Sequence, residues 1–172
     1  MGVAVGVRNE SARKRVVRRD RLSRLAERIC EGESLTGDIE ISVLFCDDPA
    51  MAELNRQYGE HSGATDVLSF EQPAQAGGGH RLLGDVVISL ETAERNCAGD
   101  RTSLRNEVDL LFCHGVLHLL GYDHGTARER ERMNQKQAEY LGVSTNAAWD
   151  FGPKGPGERA GAERGGGRRV GR

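Results

Sequence analysis

Alternating apolar and polar residues predict a β-strand in the first third of the chain. Within residues 39–45 every second residue is Ile, Val or Phe, so these side chains share one buried face of a strand. Shorter apolar runs at residues 66–70 and 86–89 predict two further strands. The sequence therefore predicts a small sheet built from these three strands.

Helical spacing occurs on either side of the predicted strands. Residues 11–30 place apolar residues three or four positions apart among arginines, which predicts a helix with a wide basic face. Asp48 followed by Pro49 is typical of a helix N-cap and first helical position, and it predicts a short helix that ends at Tyr58. Residues 91–97 predict one or two helical turns.

Two longer helices complete the pattern. The apolar character of residues 104–120 predicts a central helix, and Gly121 follows at the position of a C-cap. Thr126 and Glu129 have the spacing of a capping box, which predicts a last helix that ends at Gly142. Strands alternating with helices, followed by two helices, predict an α+β fold with a small mixed β-sheet flanked by helices.

Composition separates one domain from a tail. Residues 1–150 are long enough to bury a core and are predicted to form one domain, whereas residues 151–172 are a Gly- and Arg-rich tail that we expect to be disordered.

The four cysteines form no C-x-x-C pair. No apolar run approaches the roughly 20 residues that span a membrane, and residues 1–7 are too short for a signal segment. We therefore expect a cytoplasmic protein with reduced thiols.

The net charge of −2 conceals an uneven distribution. Residues 8–28 hold nine Arg and Lys against three acidic residues, and residues 152–172 hold six against two. A polyanionic partner is therefore expected to meet mainly the two ends of the chain. The alternative, in which both basic segments are only solvated surface, remains open at this point.

Three of the five histidines lie within eleven residues, spaced H-x3-H-x5-H. On the predicted helix, His114 and His118 leave the same face one turn apart. Gly121 turns the chain, which brings His124 over that face from outside the helix. Three imidazoles in this arrangement suit a tetrahedral Zn²⁺ with one position left for water.

A pair of histidines four residues apart also occurs without a metal, as part of a core or a polar face. The surrounding helix is apolar, however, and burying an imidazole without a partner is costly. A third histidine beyond the helix end, next to the carboxylate of Asp123, favours the metal site. We predict that Asp123 orients one of the imidazoles as a hydrogen-bonding neighbour of the ligands.

A three-histidine zinc site lowers the pKa of a water molecule to about 7, which indicates hydrolysis. Zinc peptidases with the H-E-x-x-H pattern use the Glu after the first His as general base. Gly115 occupies that position here, which argues against proteolysis.

The segment His114–His124, HGVLHLLGYDH, closely resembles the motif of the YbeY-type family of metal-dependent endoribonucleases. Three further blocks match in the same order: Leu54-Asn55-x-x-Tyr58, Thr65–Phe70 and Leu83–Ser89. The resemblance covers roughly residues 39–142.

This resemblance implies one zinc ion held by His114, His118 and His124. It also implies a single-strand-specific endoribonuclease that acts in 3′-end maturation of small-subunit ribosomal RNA and in ribosome assembly and quality control. The implied partners are the ribosomal RNA precursor and the small ribosomal subunit. The family usually has an Arg directly after the Tyr of the second block, where this chain has Gly59, so Arg56 is the candidate for that catalytic cation.

Two other functions remain open from the sequence. The first is a non-catalytic, zinc-containing ribosome assembly factor, which the loss of the family Arg at Gly59 favours. The second is a different zinc hydrolase that acts on a small molecule or a peptide, which Gly115 disfavours.

Overall fold

The computed structural model describes residues 2–58, 66–73, 79–97 and 101–150, and these residues contain one four-stranded sheet. Its strands are β1 (Val3–Asn9), β2 (Asp38–Cys46), β3 (Val67–Glu71) and β4 (His80–Ser89). They lie in the order β1-β2-β4-β3. The β1–β2 and β2–β4 pairs are parallel and β3 is antiparallel to β4, so the sheet is mixed, as predicted.

Six helices surround the sheet within the described residues: α1 (Arg19–Gly32), α2 (Asp48–Tyr58), α3 (Leu90–Asn96), α4 (Arg101–Leu119), α5 (Ala127–Leu141) and α6 (Thr145–Asp150). The capping box predicted from the sequence is present, since the Thr126 side chain accepts from the Glu129 backbone and the Glu129 side chain accepts from the Thr126 backbone. The α+β class with a mixed sheet flanked by helices is therefore confirmed.

The core lies mainly on one face of the sheet. The alternating Ile, Val and Phe residues of β2 are buried there against α1 and α4, as the period of two predicts. On the opposite face a smaller cluster joins Met51 of α2 to Val87 of β4. Because neighbouring residues of β4 point to opposite faces, Val86 and Ile88 belong to the larger cluster and Val87 to the smaller one.

The N-terminal part of the chain differs from the prediction. Residues 3–9 form β1, which was not predicted, and α1 begins at Arg19 instead of residue 11. Between these elements, side chains supply local hydrogen bonds that compete with a helix: the Ser11 backbone N–H donates to Asn9 Oδ1 at 2.9 Å, and the Arg13 N–H donates to Ser11 Oγ at 3.1 Å. The segment therefore forms a turn.

Much of the basic N-terminal segment is paired with acidic residues. Arg13 forms ion pairs with Asp47 and Glu94, and Arg21 forms one with Asp109. The basic face of α1 is therefore partly neutralised by the fold itself. The predicted disordered tail, residues 151–172, lies outside the described residues. Among the helices of the described residues, none combines the length and the apolar character needed to cross a bilayer.

Candidate metal centre

Helix α4 carries the first two histidines of the motif and ends in a glycine turn. Gly121 has φ of 92°, a left-handed conformation that glycine adopts without a Cβ clash. The Gly121 N–H donates to the His118 carbonyl at 3.0 Å, and the Tyr122 N–H donates to the Leu117 carbonyl at 3.0 Å. These bonds satisfy carbonyls at the helix end and direct the chain back, as a glycine C-cap does.

The structure brings the three predicted ligands together. One ring nitrogen of each of His114, His118 and His124 lies within 4.8 Å of the others. Nε2 of His114 and Nε2 of His118 are 3.0 Å apart. The centroid of the His124 ring is 5.3 Å from that of His114 and 5.1 Å from that of His118. Their role as metal ligands remains a prediction, but their convergence is a feature of the fold.

A buried glutamine fixes the tautomer of His114. Gln137 Nε2 donates to the Ala148 carbonyl at 3.2 Å, which leaves the amide oxygen facing His114 Nδ1 at 2.6 Å. An amide oxygen only accepts, so Nδ1 of His114 carries the proton. In a neutral ring, Nε2 then has a free lone pair, and it points toward His118.

The buried surroundings of His114 keep its imidazole ring neutral. Burial lowers the pKa of His114 well below 6.5, and the charge of His118 lowers it further, while the hydrogen bond to Gln137 acts in the opposite direction. Burial also lowers the pKa of His118, assisted by the charge of His124. Neutral imidazole is the form that binds metal ions.

This donor set fits a metal ion that prefers nitrogen. Two nitrogens at about 2.0–2.1 Å from a tetrahedral Zn²⁺ are about 3.3 Å apart, close to the observed 3.0 Å between the two Nε2 atoms. With the third imidazole within 4.8 Å, the three histidines together could hold such an ion.

Close packing explains why residue 115 is glycine. A Cβ at Gly115 would lie 2.6 Å from Cγ1 of Val86, and Ser69 Oγ donates to the Gly115 carbonyl at 3.0 Å. Position 115 therefore faces β3 and β4. A glutamate here would meet the sheet, so the general base of the H-E-x-x-H peptidases has no place in this site.

The two other predicted site residues lie in different surroundings. Asp123 Oδ1 accepts from the His124 backbone N–H at 2.7 Å, and the Asp123 charge acts to raise the pKa of His118. Its predicted hydrogen bond to an imidazole remains a prediction. Arg56 is exposed in the last turn of α2, where its guanidinium donates to the carboxylate of Glu53. Gly59 lies outside the described residues.

Gln137 is the site residue that the sequence analysis did not identify. It lies on α5, 23 residues from His114, so local spacing gives no sign of the contact. A signal is nevertheless present: Gln137 shares the buried face of α5 with Met133 and Tyr140. A polar residue in such a position predicts a buried hydrogen-bond partner.

Comparisons with known proteins agree with the geometry. The family model described as Endoribonuclease YbeY matches residues 7–144, and so extends the resemblance upstream of residue 39. "Endoribonuclease YbeY" of Pelotomaculum thermopropionicum is 44% identical over 125 residues, covering 70% of this chain and 82% of that protein. The protein of the same name from Aquifex aeolicus is 41% identical over 129 residues, covering 75% and 85%.

A solved structure supports the fold independently. The solution structure of TM1509 from Thermotoga maritima matches with a TM-score of 0.54 and 24% identity, covering 84% of this chain and 89% of that one. At this identity the match speaks to the fold alone. The family model spans β2, β4, the three histidines and α5, and the chain therefore belongs to the YbeY endoribonuclease family.

Proposed function

We propose that the protein is a cytoplasmic, zinc-dependent endoribonuclease that cleaves single-stranded RNA. Its proposed substrate is the precursor of small-subunit ribosomal RNA, which it matures at the 3′ end during ribosome assembly and quality control. The observation that carries this proposal is the convergence of three imidazoles on one point in a chain of the YbeY endoribonuclease family.

The chain's own residues prepare the site for a metal. Gln137 holds the His114 proton on Nδ1, and burial keeps His114 and His118 neutral, so their nitrogens are available as ligands at neutral pH. Zinc bound by these three residues would supply a Lewis acid and lower the pKa of a water molecule to about 7. Gly115 keeps α4 close to the sheet and leaves no side chain beside the first ligand.

RNA cleavage also requires a cation besides the metal. A phosphoryl transition state gains negative charge on its non-bridging oxygens, which a preorganised positive group stabilises. Arg56 is our candidate because it lies at the end of α2, in the turn before the position where the family has Arg. Its pair with Glu53 is exposed, and such pairs contribute little in water, so the guanidinium can exchange Glu53 for a phosphate.

A second candidate function is a non-catalytic assembly factor in which zinc is structural. The observation that favours it is Gly59, which stands where the family has the Arg. This protein would bind immature small subunits without cutting their RNA.

Cleavage of precursor ribosomal RNA by metal-replete protein tests the proposal. We expect the wild-type protein to cut the precursor and His114→Ala to be inactive at the same protein concentration. The substitution removes a proposed ligand and leaves the amide oxygen of Gln137 without the imidazole that donates to it. Gel analysis of end-labelled RNA measures both rates. If neither protein cuts while the wild type still binds immature small subunits, the assembly-factor function replaces the proposed one.

Substitution of Arg56 tests the second cation. We expect Arg56→Ala to slow cleavage by about 10²-fold or more, as for loss of one preorganised stabilising group, with unchanged zinc content. Restoring the family residue with Gly59→Arg is expected to raise the rate. Arg81→Ala, which removes an exposed arginine from β4, is the control and is expected to leave the cleavage rate unchanged. Cleavage by Arg56→Ala at the wild-type rate would rule out Arg56.

A further inference from the structure

The third metal ligand depends on a loop, unlike the first two. His114 and His118 are held in register by α4, whereas His124 lies beyond the helix end. The loop Gly121–His124, called the metal loop below, is attached to α4 through the hydrogen bond from the Tyr122 N–H to the Leu117 carbonyl. At its far end, Arg130 Nη1 donates to the His124 carbonyl at 3.5 Å, a long bond. Backbone carbonyl and N–H groups therefore hold the loop at both ends, and the side chain of Tyr122 lies between these two contacts.

The Tyr122 side chain supplies a contact to a distant part of the chain. Its hydroxyl donates to Glu33 Oε2 at 2.9 Å, and Glu33 follows α1, 89 residues away in sequence. The guanidinium carbon of Arg132 lies 5.1 Å from the centroid of the Tyr122 ring, which adds a cation–π contact on its face. Tyr122 therefore joins the metal loop to α1 and α5.

Glu33 is itself held in place by α5. Its Oε1 accepts from the Tyr140 hydroxyl at 2.5 Å and pairs with Lys136 Nζ at 3.3 Å, and its side chain is only 16% exposed. Hydrogen bonds to a carboxylate are stronger than those between neutral groups. The hydroxyl of Tyr122 thus meets an acceptor that cannot move without breaking contacts to α5.

We infer that Glu33 is a positioning residue for the metal centre, which acts through Tyr122 to hold the loop that carries His124. This inference rests on the proposed metal site. The contacts of Glu33 are with Tyr122, Tyr140 and Lys136, so its effect on the histidines is indirect. It restricts the conformations that the loop samples before a metal arrives, and a preorganised ligand loses less entropy on binding.

Two tyrosines give a matched pair of variants. Tyr122→Phe and Tyr140→Phe each remove one hydroxyl that donates to Glu33, but only Tyr122 belongs to the metal loop. We expect Tyr122→Phe to weaken zinc affinity by about 10-fold, within the range of about 10- to 100-fold found for neighbours that orient metal ligands, and Tyr140→Phe to change it less than threefold. Competition with a chromophoric chelator measures both affinities. The melting temperature of the metal-free proteins shows how far each substitution affects folding.

Glu33→Leu tests the relay directly, because leucine has no acceptor for the Tyr122 hydroxyl. We expect it to weaken zinc binding as Tyr122→Phe does, and the double variant Glu33→Leu/Tyr122→Phe to bind zinc no more weakly than the weaker single variant. Wild-type zinc affinity in Tyr122→Phe, or losses that add in the double variant, would overturn the relay while leaving the metal site intact. Equal losses of zinc affinity in Tyr122→Phe and Tyr140→Phe, accompanied by equal falls in the melting temperature of the metal-free proteins, would assign the effect to general stability and also overturn the relay. If the wild-type protein binds no zinc, the metal site and this inference both fail.

Discussion

At the scale of single residues, Gln137 determines which nitrogen of His114 can face a metal. Without the amide oxygen, the ring of His114 has no fixed tautomer, and Nε2 is protonated in a fraction of the molecules. Gln137 is in turn held by the carbonyl of Ala148 in α6. His114 is therefore oriented by a chain of two hydrogen bonds that ends in the last described helix.

Replacing Gln137 with leucine tests this chain. We expect Gln137→Leu to lower zinc affinity by about 10- to 100-fold, since partners that orient a ligating imidazole contribute on this scale. Gln135→Leu is the control, because Gln135 lies on the same helix and is exposed. Chelator competition at neutral pH gives both affinities. Equal affinity in the wild type and Gln137→Leu would contradict the role assigned to the amide.

Local spacing explains which site residues were predictable. The three histidines fall within eleven residues, and their convergence depends only on a helix and a glycine turn. Their convergence could therefore be predicted from the sequence. The Gln137–His114 and Tyr122–Glu33 contacts join residues 23 and 89 positions apart. Such contacts depend on how α1 and α5 pack against the rest of the molecule. The spacing of residues within one segment does not predict this packing.

At the scale of elements, the approach of α4 to the sheet is set by a residue without a side chain. Gly115 lies opposite Val86, which is completely buried in β4. Val86 is β-branched and stiff at χ1, so it cannot move easily away from an added methyl group. His114 is next to this contact in sequence, so any displacement of α4 also displaces its imidazole.

Substitution of Gly115 tests this packing. Alanine favours a helix by about 1 kcal/mol over glycine, but overpacking a core costs about 1–3 kcal/mol, and the 2.6 Å approach indicates that overpacking is the larger effect. We therefore expect Gly115→Ala to be less stable than the wild type in urea unfolding of the metal-free protein. Gly6→Ala is the control, since the nearest atoms to its added Cβ are at 4.0 Å. A Gly115→Ala variant as stable as the wild type would contradict this account.

Most elements followed from local patterns, and the exceptions have local causes. The helices that begin with a clear cap, α2 and α5, were placed correctly. In β1, Val3, Val5 and Val7 alternate with Ala4 and Gly6. Because neither of these small residues is polar, the segment lacks the contrast between apolar and polar positions that marks a half-buried strand. The beginning of α1 was misplaced because Asn9 and Ser11 offer the backbone a turn in place of a helix.

At the scale of the whole molecule, the fold class was predictable and the strand order was not. Alternating strands and helices indicate a mixed sheet flanked by helices. The order β1-β2-β4-β3 depends on long-range pairing, including a register shift between Glu40 and Ile41 where β2 meets β4. That order puts β3 at an edge beside α4, with Glu71 close enough to His118 to influence its pKa.

The central claim is that the three histidines bind one metal ion on which RNA cleavage depends. The most direct measurement is a titration of metal-free protein with Zn²⁺ in which bound zinc and the rate of precursor RNA cleavage are followed together. We predict that the rate rises in proportion to bound zinc and levels off at about one equivalent per chain, and that His118→Ala neither binds zinc at this level nor cuts RNA. Full cleavage by the metal-free protein, or by His118→Ala, would contradict the claim.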